Sequence, residues 1–405
     1  MNFLETFDLS ITTLSPVHVG CGEDYEPTGY IIDGQRLYEF DPVALMRQLP
    51  SSEREDFAKA VDKGLREIQS FFYRHKAVAV QIGRYGADVN AAAQAFYDNR
   101  IGRVVQREQG GKNVLNKLEI ARTAFNSLSG QPILPGSSLK GAIRTALLES
   151  LRGKDYTVVT RGREERDIKR DASRMNGQLA EDILNSSSSN SFATDALRLL
   201  KISDASFRPK IKVKDKEGNI KELVRRPRIC FQVNRKKNPN QFQAGGNINT
   251  LLECLPGNLL NSFAASCAIE RKADSGSKTP DFQPDFAAIA QACNKFYRER
   301  FEAEREVLKK QKYALPWVES MEKRLSEIGV QGKAIASGQG FLLRVGRHSG
   351  AESITVDAPR TIKIMKGKGN SDWAETATTL WLAADDIGQM ENLQPFGWVF
   401  VQRKP

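Results

Sequence analysis

The stretch Leu134-Pro135-Gly136-Ser137-Ser138-Leu139-Lys140-Gly141-Ala142-Ile143-Arg144-Thr145-Ala146-Leu147 reads as a tight turn opening a helix. Pro-Gly punctuates, Ser137 and Ser138 offer an N-cap, and Leu139, Ile143 and Leu147 recur one turn apart on one face. Lys140 and Arg144 share another face. A helix start carries free N–H groups and a partial positive charge, so two cations just inside it make this one suit a phosphate. Gly136 and Gly141 have the separation of a Walker A loop, but Ala142 and Ile143 stand where that loop needs lysine and a hydroxyl. Nucleotide hydrolysis is therefore not expected. A capped amphipathic helix with solvated cations is the plain structural alternative.

Composition narrows the partner. The chain has 405 residues, enough for two or three domains, and 60 Lys and Arg against 49 Asp and Glu. The excess of +11 asks for an anionic partner, nucleic acid before membrane, because no basic amphipathic segment or lipidation signal is evident. No apolar run of about 18 residues is present, so no transmembrane helix is expected. Met1-Asn2-Phe3-Leu4-Glu5 does not read as a signal peptide. Five scattered cysteines without a C-x-x-C pair, and three histidines, argue against a metal centre or disulfide framework and for a reducing cytoplasm. No metal or cofactor is expected.

Alternation of Phe7, Leu9, Ile11 and Thr13 predicts an opening strand, which runs into the bent loop Ser15-Pro16-Val17-His18-Val19-Gly20-Cys21-Gly22. Tyr30–Ile32 and Arg36–Phe40 predict a hairpin about Asp33-Gly34. Helices are expected near 42–48 and 52–75, with helix and loop over 90–130. Residues 152–194 are charged and then serine-rich, and predict an exposed linker or insertion. Strands are expected again at Leu197–Ala205, 259–270, Gly340–Val345, Ser353–Val356, Thr379–Leu382 and Gly397–Val401, with a helical insertion over 283–330 broken near Pro316. Short strands interleaved with helices predict an α+β chain: an N-terminal unit over 1–151 with a helical insertion, and a C-terminal unit over 195–405.

Three constellations are candidates for chemistry. Between Phe207 and Asn240, twelve cations face only Asp215, Glu217 and Glu222. Lys210–Lys214 and Arg226–Val233 are expected to pair as a basic hairpin around Glu217-Gly218-Asn219. Lys210, Lys212 and Lys214 would share one face, mildly destabilising unless an anion neutralises them. With Arg226 and Arg228 they point to nucleic-acid backbone contact; a solvated hairpin that blunts a sheet edge is the alternative. The second constellation is Gly338-Gln339-Gly340 with Arg344-Val345-Gly346-Arg347-His348. It leads into a strand instead of opening a helix, so it is no dinucleotide fingerprint; glycines allow close backbone approach and arginines can pair phosphate, against simple tight turns. The third is His18, beside Gly20, as a general base toward a ribose 2′-OH, a phosphate contact or a packed side chain. No Ser/His/Asp or Cys/His arrangement can be identified, and Glu23, Asp24, Glu26 and Asp385-Asp386 read as acidic turns, so no catalytic or metal-binding residue is assigned.

Together, Leu14-Ser15-Pro16-Val17-His18-Val19-Gly20, the run Leu134–Gly141 and the late glycine-rich loop resemble the RAMP superfamily of CRISPR-associated proteins. Length, Tyr25-Glu26-Pro27-Thr28-Gly29-Tyr30-Ile31-Ile32-Asp33 and Phe396-Gly397-Trp398 make the chain most similar to the fifth-subunit family of the Csm (type III-A) effector complex. That resemblance implies two ferredoxin-like (RRM-like) domains and a crRNA-binding role at one end of the backbone filament, near the crRNA 3′ region. It also implies a part in 3′-end maturation through recruited cellular ribonucleases, with no chemistry of its own. Implied partners are crRNA, the backbone RAMP subunit, the small subunit and a nearby target RNA. RNA-contact candidates carried over are His18, Gly20, Gly136, Ser137, Ser138, Lys140, Arg144, Gly338, Gly340, Arg344, Gly346 and Arg347. The stacking aromatics of a free RRM are not evident, so backbone contact is expected to outweigh base readout.

Two other readings compete. One is a RAMP endoribonuclease, acting through His18 or slicing through an aspartate as the backbone subunit does. That subunit is usually about half this length, and histidines are few. The other is an RNA-binding module of the ribosome or tRNA processing, resting on charge alone.

Overall fold

Phe7, Leu9 and Ile11 of the strand Leu4–Thr13 are buried, as their alternation demands. In the computed structural model this strand pairs antiparallel with Leu259–Glu270 on one side and Trp398–Arg403 on the other. The structure describes residues 3–107, 113–115, 118–154, 156–184, 195–214, 219–238, 250–271, 283–327, 334–357, 360–367 and 370–404. The serine run at 185–191 and the expected turn residues Glu217 and Gly218 lie outside them.

Gly340–Arg344, Leu200–Ile202, Ala205–Phe207 and Ile133–Leu134 complete a seven-stranded sheet whose pairings are all antiparallel. The helix Phe286–Lys310 packs on it, with the Phe286 ring 4.9 Å from Phe7 and 5.6 Å from Phe341. A nine-stranded sheet runs in the order Gly20–Tyr25, Ile120–Thr123, Thr250–Cys254, Arg228–Lys236, Arg84–Val89, Arg36–Glu39, Tyr30–Asp33, with Thr379–Ala384 and Gln394–Pro395 attached. One core joins both sheets, and a smaller cluster around Ile31, Phe40, Phe71 and Phe72 is walled by helices between Pro42 and Ile82. Among the described residues no helix is long and apolar enough to cross a membrane.

The class is α+β. The expected partition at 151 and 195 does not separate the sheets: among the described residues Leu4–Thr13 pairs with strands from beyond residue 195, and Arg84–Val89 lies parallel to Arg228–Lys236. Pairing across such separations leaves no trace in local periodicity.

Several elements differ from expectation for local reasons. Within the expected linker or insertion Glu165–Leu184 is a helix, with Ile168, Leu179, Ala180 and Leu184 buried in a charged sequence. The expected 52–75 helix breaks at Gly64, whose φ is +99. Ala351–Ile354 is a short helix following Gly350, not a strand. Lys210–Lys214 pairs with Ile220–Val224 as a separate two-stranded hairpin, while Arg228–Lys236 joins the nine-stranded sheet. Pro227, which has no N–H to give a ladder, separates the two.

Candidate nucleic-acid interface

The opening loop and the late glycine-rich loop meet. Arg347 N donates to the His18 carbonyl (2.8 Å), Gly397 N to that of Pro16 (2.8 Å), and Trp398 N to Ser15 Oγ (2.8 Å). Gly346 takes φ +85, and a Cβ there would stand 2.3 Å from the His18 oxygen, so only glycine fits the junction. This clasp leaves Arg347 and Gly20 exposed but seals His18, which is 0% exposed. Its Nδ1 lies 2.6 Å from the Glu253 carbonyl, and its Nε2 has no partner. Burial holds the imidazole below its ordinary pKa, the neutral state that a sealed ring requires. His18 is thus held in the sheet by its contact with the Glu253 carbonyl, with its ring closed off from solvent.

Beside it, Glu253 is buried too. It accepts from Tyr25 Oη (2.9 Å) and Thr123 N (3.0 Å), and burial raises its carboxyl to about 7. These bonds fasten three neighbouring strands of the nine-stranded sheet near the His18 loop.

Arg344 is not a surface cation. Its side chain is 6% exposed, its Nη2 lies 2.9 Å from Glu304 Oε1, its Nε donates to the Phe396 carbonyl (2.9 Å), and it lies over Trp398. Gly340 begins the same buried strand, and Gly338 supplies the turn before it. His348 follows the clasp, bonded to Gln232 and stacked on Trp381 with ring centroids 5.0 Å apart. Burial pushes its imidazole down to about 3.

The helix start differs from expectation. Gly136–Leu151 has Pro135 at its N-cap position, and Ser137 and Ser138 lie inside the helix without capping it. The anion at its free N–H groups belongs to the protein: Gly136 N donates to Asp204 Oδ1 at 2.8 Å. A Cβ on Gly136 would stand 2.2 Å from the Ile202 carbonyl, so this glycine serves close packing of helix on strand. Arg144 lies 3.7 Å from Asp195, and burial lowers the pKa of half-buried Lys140. The run is thus anchored in the seven-stranded sheet, with one of its first N–H groups taken by Asp204 and Ser137 left exposed. Lys210 and Lys212, by contrast, are exposed on the separate hairpin, Lys210 lying 2.9 Å from Glu222.

Strand register defines the surface that faces away from the core. Arg36 opposes Asp88, Asp88 opposes Arg228, and Arg228 opposes Cys254, so these four share one face of the nine-stranded sheet. Tyr38 opposes Tyr85 in the next row, and Asn234 opposes Trp381 further along. Leu37, Ala87, Ile229 and Phe231, alternating with them, are buried in the core. Arg226 lies over the Tyr85 ring, and Arg347 and His348 lie at the far margin beside Gln232. The middle of this face is covered, with Cys230, Leu252, Cys254, Ala383 and Phe396 in a small buried cluster; its open end, with Arg36, Tyr38, Tyr85 and Arg226, brings cations and aromatics together and suits a single-stranded nucleic acid. Tyr38 and Tyr85 were not legible as candidates: Tyr38 could have been found from its opposite parity to Leu37, but Arg84–Val89 carried no strand signal long enough to read.

Among the described residues no group of three or more His, Cys, Asp or Glu could hold a metal ion. The expected contacts thus divide. Gly20, Arg347, Arg226, Arg228 and the hairpin lysines are open or half-open, whereas His18, Gly136, Gly340 and Arg344 are buried parts of the scaffold.

A family model described as the RAMP superfamily matches residues 10–309. The chain is 32% identical over 162 residues to "CRISPR system Cms protein Csm5" of Streptococcus thermophilus, and 27% identical over 157 residues to the protein of that name in Mycobacterium tuberculosis (strain CDC 1551 / Oshkosh). Each match covers 37% of this chain and 40% of the relative, so the chain aligns with about two-fifths of those proteins' length. Among solved structures it resembles a chain of "Cryo-EM structure of Csm-crRNA-target RNA ternary complex in type III-A CRISPR-Cas system" at TM-score 0.50 and 16% identity, covering 99% of this chain and 100% of that one. It resembles "Crystal structure of T.onnurineus Csm5" at TM-score 0.51 and 16% identity, covering 97% and 99%. At that identity the likeness is one of fold, and it runs the length of the chain. The chain belongs to the RAMP superfamily.

Proposed function

We propose that this chain is a crRNA-binding structural subunit of a type III-A CRISPR (Csm) interference complex, acting in antiviral defence. In this reading it caps the backbone filament near the crRNA 3′ region and supports 3′-end maturation, with the cutting done by recruited cellular ribonucleases. Its neighbours are the backbone RAMP subunit and the small subunit, with target RNA close by. The observation that carries the reading is a RAMP-superfamily chain, similar to proteins named Csm5, with an open sheet face bearing Arg36, Arg226, Arg228, Tyr38 and Tyr85. The sealing of His18 supports a non-catalytic role, because a general base must come within hydrogen-bond reach of the hydroxyl it deprotonates.

Reconstitution tests it. The tagged chain, co-expressed with the other Csm subunits and a repeat–spacer array, is expected to co-purify with crRNA. Omitting it should leave filaments with longer, heterogeneous crRNA 3′ ends. Recovery with cellular RNA and no Csm subunits would refute the proposal. Specific cutting of repeat RNA by the chain alone, lost in His18→Ala, would establish the endoribonuclease reading instead.

A further inference from the structure

Two tyrosines and two arginines on the open sheet face form an arrangement that core packing does not call for. Tyr38 and Tyr85 face each other across adjacent strands, with ring centroids 5.8 Å apart and planes at 30°. Both rings are half-buried, while their strand neighbours Leu37 and Ala87 are fully buried on the core side. The Arg226 guanidinium lies 4.4 Å from the Tyr85 ring centroid and that of Arg36 5.2 Å. Tyr85 Oη donates to Asp88, which fixes the ring against the sheet.

A cross-strand tyrosine pair alone would be ordinary sheet stabilisation, about 0.2–1 kcal/mol. The surroundings point further. Arg225, next to Arg226, is 6% exposed, yet its Nε and Nη1 have no hydrogen-bond partner. Arg228 Nε, in the row beside Asp88, has none either. Arg36 and Arg226 thus lie over the Tyr85 ring with Arg228 in the neighbouring row, against Asp88 and Asp385. Aromatic faces within a surplus of guanidinium are complementary to a strand with flat bases and charged phosphates, and to neither a neutral peptide nor a stacked duplex.

We propose that the Tyr38–Tyr85 pair is a base-stacking platform for single-stranded RNA, with Arg226 holding an adjoining phosphate. The proposal rests on the RNA-binding reading above and adds the class of contact: unstacked bases held by their π faces, tolerant of sequence. Base–aromatic stacking contributes about 1–3 kcal/mol per base, which is roughly a 5- to 150-fold change in affinity.

Anisotropy titrations of the full chain with a labelled oligouridine, repeated over a range of salt, provide the test. Tyr38→Leu and Tyr85→Leu are each expected to weaken binding at least about 5-fold without changing the salt slope. Tyr85→Phe, which keeps the ring, should restore most of the loss. Arg226→Gln should weaken binding and flatten the slope by about 0.7, the increment for one single-strand phosphate. Photocrosslinking of 5-iodouridine RNA to the unaltered chain gives a readout free of folding effects, with Tyr38 or Tyr85 as the expected adducts. Leucine variants that bind as tightly as the wild type, or crosslinks that fall elsewhere, would overturn the platform while leaving RNA binding intact. A wild-type chain that binds no RNA in isolation or in the assembled complex would overturn the parent reading instead.

Discussion

Arg344→Ala separates scaffold from interface most sharply. The guanidinium and the Glu304 carboxylate are 6% and 5% exposed and 2.9 Å apart, so each neutralises a charge that water cannot reach. Truncating the arginine leaves Glu304 buried with Trp398 Nε1, at 3.0 Å, as its remaining donor among the described residues, and leaves the Phe396 carbonyl without its partner. Breaking a buried pair in this way costs about 3–5 kcal/mol. Urea denaturation followed by circular dichroism should therefore show a midpoint lower by roughly 1–1.7 M, taking a slope of about 3 kcal/mol/M. Replacing both partners, Arg344→Met with Glu304→Leu, should recover much of the loss, because no charge is then stranded. Under conditions where Arg344→Ala is folded, its RNA affinity should keep the wild-type salt slope. An unchanged urea midpoint together with a slope flattened by about 0.7 would refute this reasoning and make Arg344 a phosphate contact.

Gly346→Ala places a Cβ 2.3 Å from the His18 carbonyl at φ +85, so it should lower the thermal midpoint by several degrees, whereas Gly153→Ala, which meets nothing within 4 Å, should not. Glu253 is raised to about 7 by burial from an ordinary 4.5, so the fold holds a proton that the unfolded chain releases. Its contribution to stability is fully present below about 4.5 and falls as pH rises through about 7, by roughly 3 kcal/mol in all. Urea titrations from pH 4.5 to 7.5 should show Glu253→Gln gaining on the wild type as pH rises; a constant difference would contradict the shift. Lys210→Ala with Lys212→Ala should leave stability within about 0.5 kcal/mol and flatten the salt slope of RNA binding by about 1.4, two phosphates' worth; a slope that does not move removes the hairpin from the interface.

Strands with clean alternation were legible, as were the helices at 136–151 and 286–325. What failed to show was which strands pair, because Leu4–Thr13 finds Leu259–Glu270 through tertiary contacts with no local signature. The Glu165–Leu184 helix was hidden because its charges outnumber its buried residues. At the site, residue type was a poor guide to exposure. Glycine, histidine and arginine in a glycine-rich loop look the same whether they meet a ligand or another loop. Here His18, Gly346 and Arg344 clasp the two sheets together, while Arg347 remains open. Likewise, Asp204, distant in sequence, takes the first N–H of the helix start that reads as a phosphate site. The open sheet face emerged only with the register, which decides which parity of each strand faces outward.

The most direct measurement is a cryo-electron microscopy structure of the chain assembled with backbone subunits and crRNA. The account predicts guide RNA crossing the open face of the nine-stranded sheet, over Tyr38, Tyr85 and Arg226, with Arg347 at its margin and His18 still sealed. A guide strand lying along the Gly136–Leu151 helix and the seven-stranded sheet, with the nine-stranded face bare, would contradict it.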